Sequence, residues 1–88
     1  MRYYIDTIEQ VKTDEGGVNE YGKRELQPAS KTFEEVESAY FTKLANVSND
    51  IGEGDDKKHY YMDIKIVNSD GGIEKKDKVG KRVEEPNA

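Results

Sequence analysis

The sequence predicts an α+β domain in the order β-β-α-β-β: a four-stranded, mainly antiparallel sheet with one helix packed on one face. Three observations predict it. Two runs, residues 2–12 and 59–67, alternate apolar and polar residues with the period of a strand and are rich in aromatic and β-branched side chains. Each run is followed by a glycine-pair turn, Gly16-Gly17 and Gly71-Gly72. Between them lies one segment, residues 32–47, whose apolar side chains recur at helical spacing.

In the first run, Tyr3, Ile5 and Thr7 share a face with Val11 further along, and Tyr4, Asp6 and Ile8 share the other. Asp14-Glu15-Gly16-Gly17 supplies the turn. A weaker strand over residues 18–26 follows, a candidate edge, with a bulge or early end expected at Gly22. Thr32 is the expected helix N-cap and Glu35 completes a Thr-x-x-Glu capping box. Glu34, Glu35 and Glu37 suit the positive end of the helix, and Lys43 suits the other. Phe33, Val36, Tyr40, Leu44 and Val47 form the apolar stripe, flanked by Phe41. Residues 48–58 read as an acidic loop. The second run then places Tyr60, Met62, Ile64 and Ile66 toward the helix. Residues 73–79 form a charged strand whose lysines, Lys75, Lys76 and Lys78, guard an edge.

The domain is expected to span residues 1–79, with 80–88 as a flexible C-terminal tail. The two halves also resemble one another. Tyr3-Tyr4-Ile5-Asp6 parallels Tyr60-Tyr61-Met62-Asp63, and Gly22-Lys23-Arg24 with Pro28 parallels Gly80-Lys81-Arg82 with Pro86. Two hairpins sharing turn chemistry account for the likeness as well as a duplication does.

The chain has 88 residues, 38% of them charged, no cysteine and a formal net charge of −5. Disulfides, thiolate metal sites and cysteine nucleophiles are excluded. No run approaches the roughly 20 apolar residues of a membrane span, and no signal-peptide pattern opens the chain. A cytoplasmic location and no membrane partner are therefore expected. The acidic balance disfavours phosphate-driven binding, so nucleic acid is not the expected partner. A core this lean gains from dimerisation, which makes a homo-oligomer the expected state.

No phosphate-loop, dinucleotide or nucleophile-elbow motif is present. His59, the single histidine, has Asp55, Asp56 and Asp63 near it in sequence, but a general base needs an orienting partner and a pocket, and one histidine at a strand start is ordinary. The acidic loop holds oxygen ligands without the spacing of a calcium site. Asp6 and Asp63, were they to face each other, would make a carboxylate pair without a cleft. No catalytic residue, cofactor or metal is assigned. With one helix, one sheet face stays open, and Tyr4, Ile8, Tyr61 and Lys65 are its candidate interaction surface, with Val67, Asp6 and Asp63 among them. The expected function is a non-enzymatic protein-interaction module with an unidentified protein partner. The alternatives are a nucleic-acid-mimicking inhibitor or binder, and a small enzyme or metal-binding protein centred on His59 and the acidic loop.

The opening Met1-Arg2-Tyr3-Tyr4-Ile5-Asp6-Thr7-Ile8, the glycine turn, the Thr32-Phe33-Glu34-Glu35-Val36 helix start and the closing hairpin resemble short phage and prophage proteins of Gram-positive bacteria. The resemblance covers residues 1 to about 79. It implies an accessory role exercised by binding, and brings no catalytic residues with it.

Overall fold

The computed structural model describes residues 2–52 and 54–84. It contains β1 (Tyr3–Lys12), β2 (Val18–Leu26), α1 (Phe33–Ser48), β3 (His59–Asn68) and β4 (Ile73–Gly80), in the order the sequence predicts. The strands form one antiparallel sheet in the order β2-β1-β3-β4. Each hairpin thus gives one central strand and one edge strand.

The turns form as their residues dictate. Gly16 takes φ +83° and donates to the Thr13 carbonyl, while the Thr13 hydroxyl accepts from Gly17 N–H at 2.7 Å. In the second hairpin the Asn68 side-chain oxygen accepts from both Asp70 and Gly72 N–H at 2.9 Å. The bulge expected at Gly22 is absent: the β1–β2 ladder runs unbroken from Tyr4↔Leu26 to Lys12↔Val18. Gly22 lies beside Ile8 on the open face, where a missing side chain leaves the backbone regular. The ladder slips elsewhere, between Gln10↔Tyr61 and Val11↔His59 and between Ile66↔Lys75 and Val67↔Ile73. The first slip leaves Tyr60 unpaired. Tyr60 is therefore not part of the core, contrary to the alternation, and its ring lies under Lys12 Nζ at 5.3 Å.

Helix α1 begins at the capping box. Thr32 Oγ1 accepts from Glu35 N–H, and the Glu35 carboxylate accepts from Thr32 N–H at 2.9 Å. Those bonds hold the Glu35 carboxyl below its ordinary pKa. The last turn carries no basic residue; Lys43 instead reaches Glu9 on β1 at 3.4 Å. Val36, Tyr40 and Val47 are buried against Ile5, Met62, Ile64 and Ile66, with Tyr3, Phe33, Leu44 and Val79 at the margin. Tyr40 is the buried pivot: its hydroxyl donates to Asp77 on β4. Burial first, and then the Asp77 carboxylate, push that hydroxyl well above its ordinary pKa, so it remains a donor. The helix packs on β3, β4 and β1; among the described residues it makes no contact with β2. No helix among these residues is long and apolar enough to cross a membrane.

Candidate interaction surface

The registers set out the open face as four rows crossing the sheet from β2 to β4. The first is Leu26, Tyr4, Val67 and Ile73. The second is Arg24, Asp6, Lys65 and Lys76, and the third is Gly22, Ile8, Asp63 and Lys78. The fourth is Glu20, Gln10, Tyr61 and Gly80.

The fourth row is covered. Gly80 ends β4 at φ +79°, and the chain then leaves the sheet edge and crosses its open face. Lys81 N–H donates to the Tyr60 carbonyl at 3.1 Å. The Gln10 amide grips the next stretch at both ends: it accepts from Val83 N–H at 2.7 Å and donates to the Val83 carbonyl at 2.9 Å. A primary amide presents the same donor–acceptor pair as a peptide unit, so Gln10 extends the hydrogen-bonding pattern of the sheet sideways to this strap. Arg82 meets Glu20 through two bonds of 2.8 and 3.0 Å, and the Gln10 amide also donates to Glu20 at 3.1 Å. Gln10 is only 3% exposed, with its polar atoms partnered. The tail expected at 80–88 thus begins with residues held against the sheet, while 85–88 lie outside the described residues.

The strap divides the expected patch. Tyr61 does lie on the open face, as the alternation requires, but it is 6% exposed. Burial, and then Asp63 beside it, raise its pKa. Tyr61, in the row that the strap crosses, therefore presents little surface to a partner. Tyr4, Ile8 and Lys65 fall in the three rows that the strap leaves uncovered. Val67 is buried between its neighbours in the first row, whereas Ile8, Leu26 and Ile73 are exposed. Arg24 holds Asp6 with two bonds of 2.7 and 2.8 Å and stacks over the Tyr4 ring at 4.6 Å. A shallow concavity of about 340 Å³ opens above Ile8 and Gly22, ringed by Arg24, Asp6, Asp63 and Lys65. Asp6 and Asp63 do not face each other. They sit in different rows, Asp6 between Arg24 and Lys65, Asp63 between Ile8 and Lys78.

His59 sits on the opposite, helix-covered side because the slip at Tyr60 turns it there. Both of its ring nitrogens are occupied: Nδ1 lies 2.7 Å from Asp50 and Nε2 lies 2.8 Å from Glu9. The bond from His59 is the main cause holding the Asp50 carboxyl below its ordinary pKa. This clamp ties the loop after α1 to β1, so proton transfer or metal ligation by His59 requires breaking one of its own bonds. Asp55 and Asp56 remain exposed in the loop, and no group of three potential ligands among the described residues is placed to hold a metal ion.

Sequence reasoning missed Glu9 and Asp50 as the orienting partners of His59, and Gln10 as the anchor of the strap. All three are polar residues whose partners come together only in the folded sheet. Comparison with models of protein families, with curated proteins and with solved structures finds no match.

Proposed function

We propose that this chain is a non-enzymatic, self-associating interaction module that docks a partner protein on the three bare rows of its open sheet face. One observation carries the reading. The apolar row Leu26–Tyr4–Val67–Ile73 crosses all four strands and is bordered by a surface where Arg24, Lys65, Lys76 and Lys78 outnumber Asp6 and Asp63. That face is locally cationic in a chain of net charge −5. The partner it suits presents an apolar side chain within an acidic rim. In keeping with the resemblance of its sequence to short phage and prophage proteins, the role proposed is that of an accessory protein of a mobile element, acting by binding.

Photo-crosslinking tests it. A photoreactive residue at position 8 or 65 should capture a partner in host cells, and the same group at position 34, on the outer side of α1, should not. With that partner purified, Tyr4→Ala and Lys65→Glu should each weaken binding about tenfold or more. Capture from position 34 alone, or full binding by both variants, would overturn the reading. The same cationic surface favours a second reading, binding of single-stranded nucleic acid. Salt-sensitive binding of a labelled oligonucleotide would point there. Against it, the Tyr4 ring is already covered by Arg24.

A further inference from the structure

We infer that the outer edge of β2 is a self-complementary dimer interface: two copies pair antiparallel about Gly22 and join their sheets into one continuous eight-stranded sheet. The inference rests on the proposed reading of the chain as self-associating and gives that association its surface.

The edge is bare. β2 lies at the end of the strand order, residues 19–26 are all exposed, and no described element packs on it. Its backbone is set out for pairing. Hydrogen bonds from Thr13 N–H to Gly17 O and from Gln27 N–H to Tyr3 O flank a ladder with no slip between them. Bonded pairs alternate in an antiparallel ladder, so Asn19, Tyr21, Lys23 and Glu25 bond to β1. Val18, Glu20, Gly22, Arg24 and Leu26 therefore turn their N–H and C=O groups outward.

The side chains then select one register. Pairing about Gly22 sets Glu20 opposite Arg24 of the second copy, and Arg24 opposite its Glu20. Val18 meets Leu26 in the same way, all on the open face. On the other face Tyr21 meets Lys23, a cation beside an aromatic ring. Every outward residue donates one bond and accepts one. The neighbouring registers are poorer. Centring on Tyr21 places Val18 against Arg24 and Glu20 against Gly22. Centring on Lys23 places the two lysines opposite each other and Glu20 against Leu26. At the two-fold axis itself, Gly22 presents no side chain, and even a Cβ there would meet nothing within 4 Å in its own chain. Glu20 and Arg24 are 42% and 57% exposed, so each can add a partner to the one it has. The result is a row of alternating sign across the junction: Arg82, Glu20, then Arg24 and Asp6 of the second copy.

Charge reversal with light scattering and sedimentation equilibrium tests the inference. The wild-type chain should be a dimer. Glu20→Arg alone and Arg24→Glu alone each set like charges opposite one another twice per dimer, and each should weaken association about 30-fold or more. An equimolar mixture of the two variants should dimerise again, because the arginine placed at position 20 of one chain meets the glutamate placed at position 24 of the other. Mixing leaves any repulsion within a chain, from Arg82 or Asp6, unrelieved, so rescue reports the junction alone. Gly22→Pro removes an outward N–H that β1 does not use and should also dissociate the dimer while circular dichroism shows the fold intact. A wild-type monomer at every concentration overturns both this interface and the self-association it rests on, and leaves partner docking on the open face untouched. A wild-type dimer that survives Gly22→Pro and both reversals, and yields to Tyr4→Ala, overturns the edge interface and keeps self-association. Failure of the mixture to dimerise also overturns it.

Discussion

The two edges of the sheet carry the same tripeptide and use it in opposite ways. On β2, Gly22-Lys23-Arg24 lies in mid-strand, in an unbroken ladder, and a Cβ at Gly22 would meet nothing within 4 Å. At the end of β4, Gly80-Lys81-Arg82 takes the chain out of the ladder. Gly80 holds φ +79°, and a Cβ there would lie 2.2 Å from the Tyr60 carbonyl oxygen and 2.9 Å from Ile51 Cδ1. The rest of the two strands diverges likewise. β4 is tied to the helix by Tyr40–Asp77, by Lys75–Glu37 at 3.7 Å and by Lys75 over the Phe41 ring at 5.1 Å. It also carries the register slip beside Ile73, and its outward-pointing residues include Lys76 and Lys78. Those features are what natural sheets use to prevent foreign strands from pairing. β2 has charges of both signs, no helix over it and a glycine at its centre. An edge strand's charges do not by themselves guard it; their order along the strand decides whether a second copy meets repulsion or a complement.

Exchanging the two glycines for alanine should expose the difference most strongly. Gly80→Ala forces a side chain into the Tyr60 carbonyl at a positive φ. It should cost on the order of 3 kcal/mol in chemical denaturation, enough to lower the Tm by roughly 12 °C or more in a domain of this size. It should also release the strap, exposing Tyr61 to solvent and raising its hydrogen-deuterium exchange neighbourhood with it. Gly22→Ala, in open space within a strand, should stay within about 0.5 kcal/mol of wild type. Equal effects at the two sites would erase the distinction between a glycine required by the fold and one that only leaves room.

A smaller effect separates the edges through the helix, which holds one of them alone. Tyr40→Phe keeps the ring and removes the hydroxyl, leaving the half-buried Asp77 carboxylate without that donor. The expected cost is about 1–2 kcal/mol. Amide exchange should quicken in β4 and stay unchanged in β2, which the helix does not touch among the described residues. Uniform acceleration across the sheet would show that the helix does not stabilise its edges unequally.

The legible part of this fold was local. Period-two alternation exposed the core side of β3 at Met62, Ile64 and Ile66, and the Thr32–Glu35 capping box marked the helix start. What stayed hidden depended on residues far apart in the chain. Gln10 looks like any solvated polar residue on a strand until Val83, 73 residues away, supplies its N–H and its carbonyl to the amide. Glu9 lies 50 residues from His59, and only the β1–β3 register brings them together. The slip that excludes Tyr60 from the core is likewise invisible to a count of alternating residues. Of the expected surface, Tyr4, Ile8 and Lys65 follow from alternation alone, whereas the burial of Tyr61 follows from the strap. A valine and two cations just beyond a glycine, Gly80-Lys81-Arg82-Val83, were the available sign that the chain was turning back onto the sheet.

The smallest change in stability should produce the largest change in assembly. Hydrogen bonds Asn68 N–H to Gly72 O and Lys81 N–H to Tyr60 O bracket the β3–β4 ladder, and the alternation running back from Lys81 turns Lys76 and Lys78 outward on β4. Antiparallel pairing of two β4 edges sets lysine opposite lysine whether it centres on residue 76, 77 or 78. Replacing both by threonine, a good strand former, removes that repulsion and should alter the unfolding free energy by no more than about 0.5 kcal/mol each. If β2 pairs with β2, a chain whose β4 can also self-pair has two adhesive edges. The closed dimer then becomes one link of an open ribbon that can grow at both ends. The Lys76→Thr, Lys78→Thr variant should therefore form elongated particles whose scattering rises with concentration, and adding Gly22→Pro should return them to dimers joined through β4 alone. Particles no larger than the wild type would show that β4 is blocked by its slip and by the turn at Gly80, with the lysines adding nothing to the barrier.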